Sequence, residues 1–237
     1  MLGVDLKAIW GKGKELRSPV ADSHVSVMEI KWLGHASWMI KAAGKVIYLD
    51  PYEGEYVPKG DLVLASHSHQ DHCKEDKLKQ ALGPETTFIA PADCNKAGAK
   101  PTTLKPGDKI KIGDVEVEAV WAYNVKRFRS PGVPFHPKGF GVGYLIRADG
   151  KTVYHTGDTE FVPELKTLKG IDVMLCATGG TYTMDNDEAA ELVLAIKPKV
   201  AIPMHIWDTD PMVFKKKVEA GGATKVVILK PGDVYKP

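Results

Sequence analysis

The chain has 237 residues, 43% hydrophobic and 26% charged, enough for one large domain with a well-buried core. Lys plus Arg at 32 against Asp plus Glu at 30 leaves a formal charge of +2, too small to imply nucleic acid as an obligatory partner. No apolar run approaches the roughly 20 residues of a membrane span. Met1–Lys7 lacks the apolar core of a signal peptide, so the expectation is a cytoplasmic protein with no membrane partner.

Residues 1 to about 24 have little periodicity around Trp10 and read as a short helix or arm packing on the domain. From Val25 the pattern turns strand-like: Val25–Leu33, a turn, Ser37–Ala42, then Lys45–Leu49, a β-meander leading into the core. Leu62-Val63-Leu64-Ala65 has the composition of a buried parallel strand and runs straight into Ser66-His67-Ser68-His69-Gln70-Asp71-His72. Such strands present their chemistry at the carboxyl end. His67 and His69 are two apart and point the same way in extended backbone, while Asp71 and His72 can aim at a neighbouring point as the chain turns. One loop can therefore feed two adjacent metal ions, with imidazoles for the first and a carboxylate plus an imidazole for the second. Three of the chain's eight histidines fall in this loop, which sets it apart from an ordinary polar turn.

His67-x-His69-x-Asp71-His72 resembles the signature of the metallo-β-lactamase superfamily of metal-dependent hydrolases, and the resemblance runs from about Ile30 to Ile228. It implies a four-layer αββα sandwich with the metals at one edge between two sheets; composition alone says only α/β. Gly34-His35-Ala36-Ser37 and Leu49-Asp50-Pro51 resemble the first two motifs of the subgroup that includes ascorbate-6-phosphate lactonase-like proteins. That likeness implies that His35 and Asp50 lie near the metal pocket, behind the ligands.

Further along, Glu75–Leu82 has the composition of a helix broken by Gly83-Pro84, Thr87–Ala90 reads as a strand, and Asp93 is read as the cap of a short helix to about Gly98. Cys73, Cys94 and Cys176 are odd in number and far apart, which argues against a disulfide framework. Lys109–Ile112 and Val115–Val120 flank Gly113-Asp114 with hairpin alternation. The second of these strands leads to Asn124, where the superfamily commonly carries a histidine. An amide oxygen is a poor zinc ligand beside imidazole, so His136, in the Pro- and Gly-rich loop from Val125 to Gly139, is the candidate to complete the first site or to line the pocket. Lys126, Arg127, Arg129 and Lys138 make that loop basic; placed over the metals, they would favour an anionic substrate.

The hairpin Gly141–Arg147 and Lys151–Thr156, joined at Asp149-Gly150, delivers Gly157-Asp158-Thr159. Glycine followed by an acid at a strand end matches the superfamily's bridging aspartate, so Asp158 is expected to join two ions and reduce their repulsion. His155 is expected to pack below the site. Ile171–Ala177 is a buried strand, and Thr183-Met184-Asp185 resembles a loop of the lactonase-like subgroup that walls the pocket, with Asp185 or Asn186 able to cap the helix that follows. Asp187–Ile196 reads as that helix, Lys199–His205 as the last ligand-bearing strand, Met212–Ala220 as a helix and Lys225–Leu229 as a final strand. His205 matches the family's closing histidine on the second site.

The expectation is one domain over 1–237, with His67, His69 and His136 on the first ion, Asp71, His72 and His205 on the second, and Asp158 between them. The cofactor is two divalent ions, zinc by default from ligand type, with manganese, iron or nickel open. The reaction expected is hydrolysis of an ester, lactone or phosphoester of an anionic small molecule by metal-activated hydroxide, with Asp71 orienting the nucleophile. A phosphodiesterase or nuclease acting on nucleic acid stays open through the basic loop, as does a non-catalytic metal-binding protein. A redox di-iron protein is disfavoured because such relatives carry glutamate where His69 stands. Oligomeric state is not legible.

Overall fold

The computed structural model describes residues 27–237; the arm expected around Trp10 and the start of the Val25–Leu33 strand lie outside them. β1 (Glu29–Gly34), β2 (Ser37–Ala42) and β3 (Lys45–Leu49) form the antiparallel meander. β4 (Leu62–Leu64) lies parallel to β3, α1 (Glu75–Ala81) makes the crossover that a parallel neighbour needs, and β5 (Thr87–Ile89) follows beside β4. The second sheet begins with the β6 (Lys109–Ile112) and β7 (Val115–Ala122) hairpin. β8 (Phe128–Ser130) and β9 (Val133–Pro134) then make a small hairpin of their own. β10 (Gly141–Ala148), β11 (Lys151–His155), β12 (Val173–Ala177), α2 (Asn186–Ile196), β13 (Val200–Met204), α3 (Pro211–Ala220) and β14 (Lys225–Val226) complete that half. β15 (Val234–Tyr235) returns to pair with β1.

The strand orders are β15-β1-β2-β3-β4-β5 and β14-β13-β12-β11-β10-β7-β6. Three apolar clusters separate four layers. Trp38, Ile40, Leu62, Leu64, Ile146, Val173, Leu175 and Ile202 fill the space between the sheets. Met174, Cys176, Leu192, Phe214 and Val218 join the second sheet to α2 and α3, and Tyr48, Val63, Leu78 and Phe88 join the first to α1. Leu62 and Leu64 thus face one core while Val63 faces the other, which is why this strand reads as an unbroken apolar run rather than an alternation. The architecture is the αββα sandwich.

Strand direction positions the site. β3 and β4 are parallel, so Asp50 and the histidine loop leave the first sheet at the same edge. In the second sheet β7, β11, β12 and β13 all run one way, β7 through two antiparallel steps across β10, so Asn124, Asp158 and His205 follow strand ends on a common edge. Cross-sheet bonds draw the two edges together: Val142 N donates to Ser66 O at 2.9 Å, and His205 N donates to His35 O at 3.1 Å.

Some expectations are corrected. No helix runs from Asp93 to Gly98: Ala92–Cys94 is one 3₁₀ turn, Ala97 and Gly98 turn left-handed at φ of 61° and 73°, and the Asp93 carboxylate accepts from Ser68 Oγ instead. The strand expected over Lys225–Leu229 is only Lys225–Val226. Cys73 and Cys94, far apart in sequence, stand side by side with Cα atoms 6.2 Å apart, because α1 and β5 fold back a stretch whose sequence separation of 21 hides the proximity. Among the described residues, no helix is long and apolar enough to cross a membrane.

Candidate metal centre

Each ring of the histidine loop is oriented from behind. Asp50, at the end of β3 with φ of 44°, accepts from Ser66 N at 2.6 Å and Ser66 Oγ at 2.8 Å. Ser66 Oγ, having given its hydrogen to Asp50, accepts from His67 Nδ1 at 3.0 Å, which leaves His67 Nε2 as a lone pair facing forward. His72 Nδ1 donates to Asp50 Oδ2 at 2.7 Å, so His72 Nε2 faces forward too. A single buried carboxylate thus sets the tautomer of two imidazoles, the support that metal-binding histidines commonly have.

Asn124 does the same for His136. Its Nδ2 donates to Tyr182 O at 3.0 Å, which turns Oδ1 toward His136, where it accepts from Nδ1 at 2.7 Å and from the backbone N at 2.8 Å. His136 Nε2 then lies 3.2 Å from His69 Nδ1, which is itself 3.1 Å from His67 Nε2. Of the two residues weighed for the first site, His136 therefore points its free nitrogen into the cluster and Asn124 stands behind it. His67, His69 and His136 form one group of donor atoms within 4.8 Å of one another, and His35, Asp71, His72 and His205 form a second.

Asp158 lies between the groups. Its Oδ2 is 3.3 Å from both His136 Nε2 and His205 Nε2 and 4.0 Å from His67 Nε2, and its Oδ1 is 3.3 Å from His72 Nε2. His205, in left-handed backbone at φ of 51°, reaches this point because Gly179 leaves room: a Cβ there would stand 2.4 Å from His205 O. His155 Nε2 donates to Ala36 O at 3.1 Å, packed below and turned away from the centre.

His72 Nε2, His205 Nε2 and Asp158 Oδ1 are buried and have no hydrogen-bond partner, a costly state for three polar atoms unless something accepts their lone pairs. Burial opposes a charge on His72, yet Asp158 and Asp50 raise its pKa well above the ordinary value. Burial pushes His67 well down and His136 down to about 4, so both are neutral donors near pH 7. Burial works against ionisation of Asp71 as well, but the His35 hydrogen bond and the His72 charge hold its carboxyl far below the usual range. Imidazoles and carboxylates with free lone pairs converging on two adjacent points are a donor set for divalent transition metals.

Sequence reasoning placed one group a step too far back and missed another. His35, held at φ of 49°, places Nε2 3.2 Å from Asp71 Oδ2 and its ring 3.9 Å from that of His205, so it stands among the second donor group rather than behind it. Glu160 is fully buried and accepts from the backbone N of Val125 at 2.9 Å, Lys126 at 2.8 Å and Arg127 at 2.7 Å. It anchors the loop that carries His136. An acid two residues after Asp158 was the available signal.

An open cavity of about 300 Å³ leads to the centre, lined by His69, Asp71, Arg129, Phe135, His136, Asp158, Tyr182 and Trp207. Tyr182, from the loop before α2, faces it, while Met184 is core and Asp185 caps α2 through the backbone N of Asp187 and Glu188.

This architecture and donor set define a metal-dependent hydrolase. Residues 29–205 match the family model described as the β-lactamase superfamily domain. A UPF0173 metal-dependent hydrolase of Pelotomaculum thermopropionicum is 32% identical over 228 residues, covering 87% of this chain and 98% of that one. Among solved structures, a protein of Parabacteroides distasonis described as a putative metal-dependent hydrolase superposes with a TM-score of 0.79 at 31% identity, covering 87% of this chain and 94% of its own. A metallo hydrolase of the archaeon Ignicoccus hospitalis does so at 0.72 and 25%, covering 89% and 98%. The chain belongs to the UPF0173 metal-dependent hydrolase family of the metallo-β-lactamase superfamily.

Proposed function

We propose that the chain hydrolyses an ester, lactone or phosphoester bond in a small anionic molecule, using two divalent ions, zinc by preference, held by His67, His69 and His136 on one side and by Asp71, His72 and His205 on the other. The observation that carries this is Asp158, whose two oxygens face both donor groups at 3.3 Å. When bound, the ions would acidify water and polarise the carbonyl or phosphoryl oxygen. The protein's own share is positional. Ser66 and Asn124 keep the forward nitrogens of His67 and His136 unprotonated, Asp50 holds the Nδ1 hydrogen of His72 so that its Nε2 is the atom left to face an ion, and Asp71 is ionised and 31% exposed, at the cavity wall, where it can accept a hydrogen bond from a water and align its lone pair. The Gly34–Ser37 turn and the loop around Thr183, similar to those of lactonase-like proteins, support a lactone as one candidate bond.

The basic loop gives nucleic acid little support. Lys126 pairs with Glu188, Arg127 with Glu160, Asp185 and Glu188, and Lys138 with Glu164, so their charge is spent within the fold. The test is elemental analysis of metal-reconstituted protein followed by a screen of lactones, phosphodiesters and thioesters. Close to two ions per chain, with Asp158→Ala losing one more readily than the other, is the expected result. No metal after reconstitution overturns the reading, and equal retention of both ions by the variant removes the shared carboxylate.

A further inference from the structure

Arg129 differs from the other cations of its loop. Among the described residues it is the only Lys or Arg lining the cavity, and no carboxylate lies within ion-pair distance of it. Its Nη2 is 3.4 Å from His69 Nε2 and 3.4 Å from Phe135 O. His69 turns Nδ1 toward His67 and His136, so when the three rings share an ion, as in the proposed function, Nδ1 gives its lone pair there and Nε2 carries the hydrogen. Two donors then stand side by side and cannot satisfy each other. Phe135 O takes at most one of the Arg129 hydrogens, at a long 3.4 Å, so an acceptor placed between the two groups would serve both, and a cation beside an N–H favours an anionic oxygen.

Next to this pair runs an aromatic strip. Phe135 meets Tyr182 edge to face at 4.8 Å, and Tyr182 lies 5.9 Å from Trp207. Trp207 is 55% exposed although it faces a cavity, and its backbone is left-handed at φ of 50°, costly for a bulky residue and tolerated mostly where function needs it. An exposed aromatic surface beside a polar centre is a place for a flat apolar group.

We propose that the mouth of the cavity is a two-part substrate subsite: Arg129 with His69 Nε2 takes a carboxylate or phosphoryl group, and Phe135, Tyr182 and Trp207 take an adjoining planar apolar group. The substrate class is then a small organic acid with an aromatic or similarly flat body next to the bond that is cut. This rests on the proposed function for the cutting and for the His69 hydrogen, though not for the Arg129 charge.

The test is calorimetric titration of the metal-loaded protein with phenylphosphonate and with its neutral diethyl ester. Arg129→Gln should weaken phenylphosphonate about 10- to 100-fold, the worth of one charge-assisted hydrogen bond, leave the ester unchanged and keep the metal content. Arg129→Lys should recover part of the loss. Trp207→Ala should weaken both ligands by a similar factor. Unchanged phenylphosphonate affinity in Arg129→Gln at full metal content overturns the anion subsite, and unchanged affinity for both ligands in Trp207→Ala overturns the aromatic one. If the protein takes up no metal, the proposed function fails, and the same titrations on the metal-free protein decide the subsite by the same criteria.

Discussion

Asn124 illustrates how a residue outside the donor set can govern it. Its Oδ1 takes both hydrogens that His136 offers, the ring Nδ1 and the backbone N. Asn124→Ala should therefore weaken one ion about 10-fold, as loss of a supporting hydrogen bond typically does, and His136→Ala should weaken it more; a metal titration returning the reverse order would exchange their roles. The His67-x-His69-x-Asp71-His72 run was legible in the sequence because its parts are contiguous. The work of Asn124 was not, since it depends on a ring twelve residues away that only the β8–β9 hairpin brings back. His136 also sets a pH dependence. Burial lowers its folded pKa to about 4 from 6.5, so between those values the unfolded chain binds more protons. The contribution of His136 to the stability of the metal-free protein should thus be level above about pH 6.5 and fall as pH drops toward 4, by at most ~3 kcal/mol. Urea midpoints of wild type and His136→Asn across that range measure it: the variant should lose less, and parallel curves would assign the slope to other groups.

Glu160 acts on a whole element. Three successive backbone amides donate to one carboxylate, which with the Arg127 contacts to Glu188 and Gly180 O pins the start of the β8–β9 segment. Glu160→Gln removes the charge and half of the acceptor capacity. We expect faster hydrogen exchange at Val125, Lys126 and Arg127 with little change at β10 and β11, together with weaker binding of the ion that His136 faces. Uniform loosening of the sheet would mean that Glu160 supports the core instead. The hairpins at Gly113-Asp114 and Asp149-Gly150 were readable because alternation and turn chemistry agree. β14 and β15 are two residues long, too short for a period to show, and owe their existence to β13 and β1. The turn at Ala92–Cys94 misled because an acid after proline resembles a helix start, whereas Asp93 is engaged with Ser68 from the histidine loop.

Across the whole molecule the donors come from both sheets: His67, His69, Asp71 and His72 follow β4, while Asp158 and His205 follow β11 and β13. Bound ions would tie the two layers at the edge where the inter-sheet core ends. A ligand that binds only the folded state at about 100 times its dissociation constant adds ~2.7 kcal/mol, so stripping metal with a chelator should lower Tm by roughly 5–10 °C for a chain of this size. Scanning calorimetry with and without the chelator checks this; an unchanged Tm would mean that the layers hold this edge unaided.

If two ions bind as proposed, Asp158 makes the two points of that edge one thermodynamic system. Its carboxylate could not be aligned for one ion without being aligned for the other, so whichever ion arrived first would bear the cost of fixing it and the second would arrive to an oriented partner. Linkage is reciprocal: if occupancy of the His136 side strengthens the His205 side, the converse holds by the same factor. Metal uptake should then be cooperative, with half-loaded protein scarce, and Asp158→Ala should make the two affinities independent.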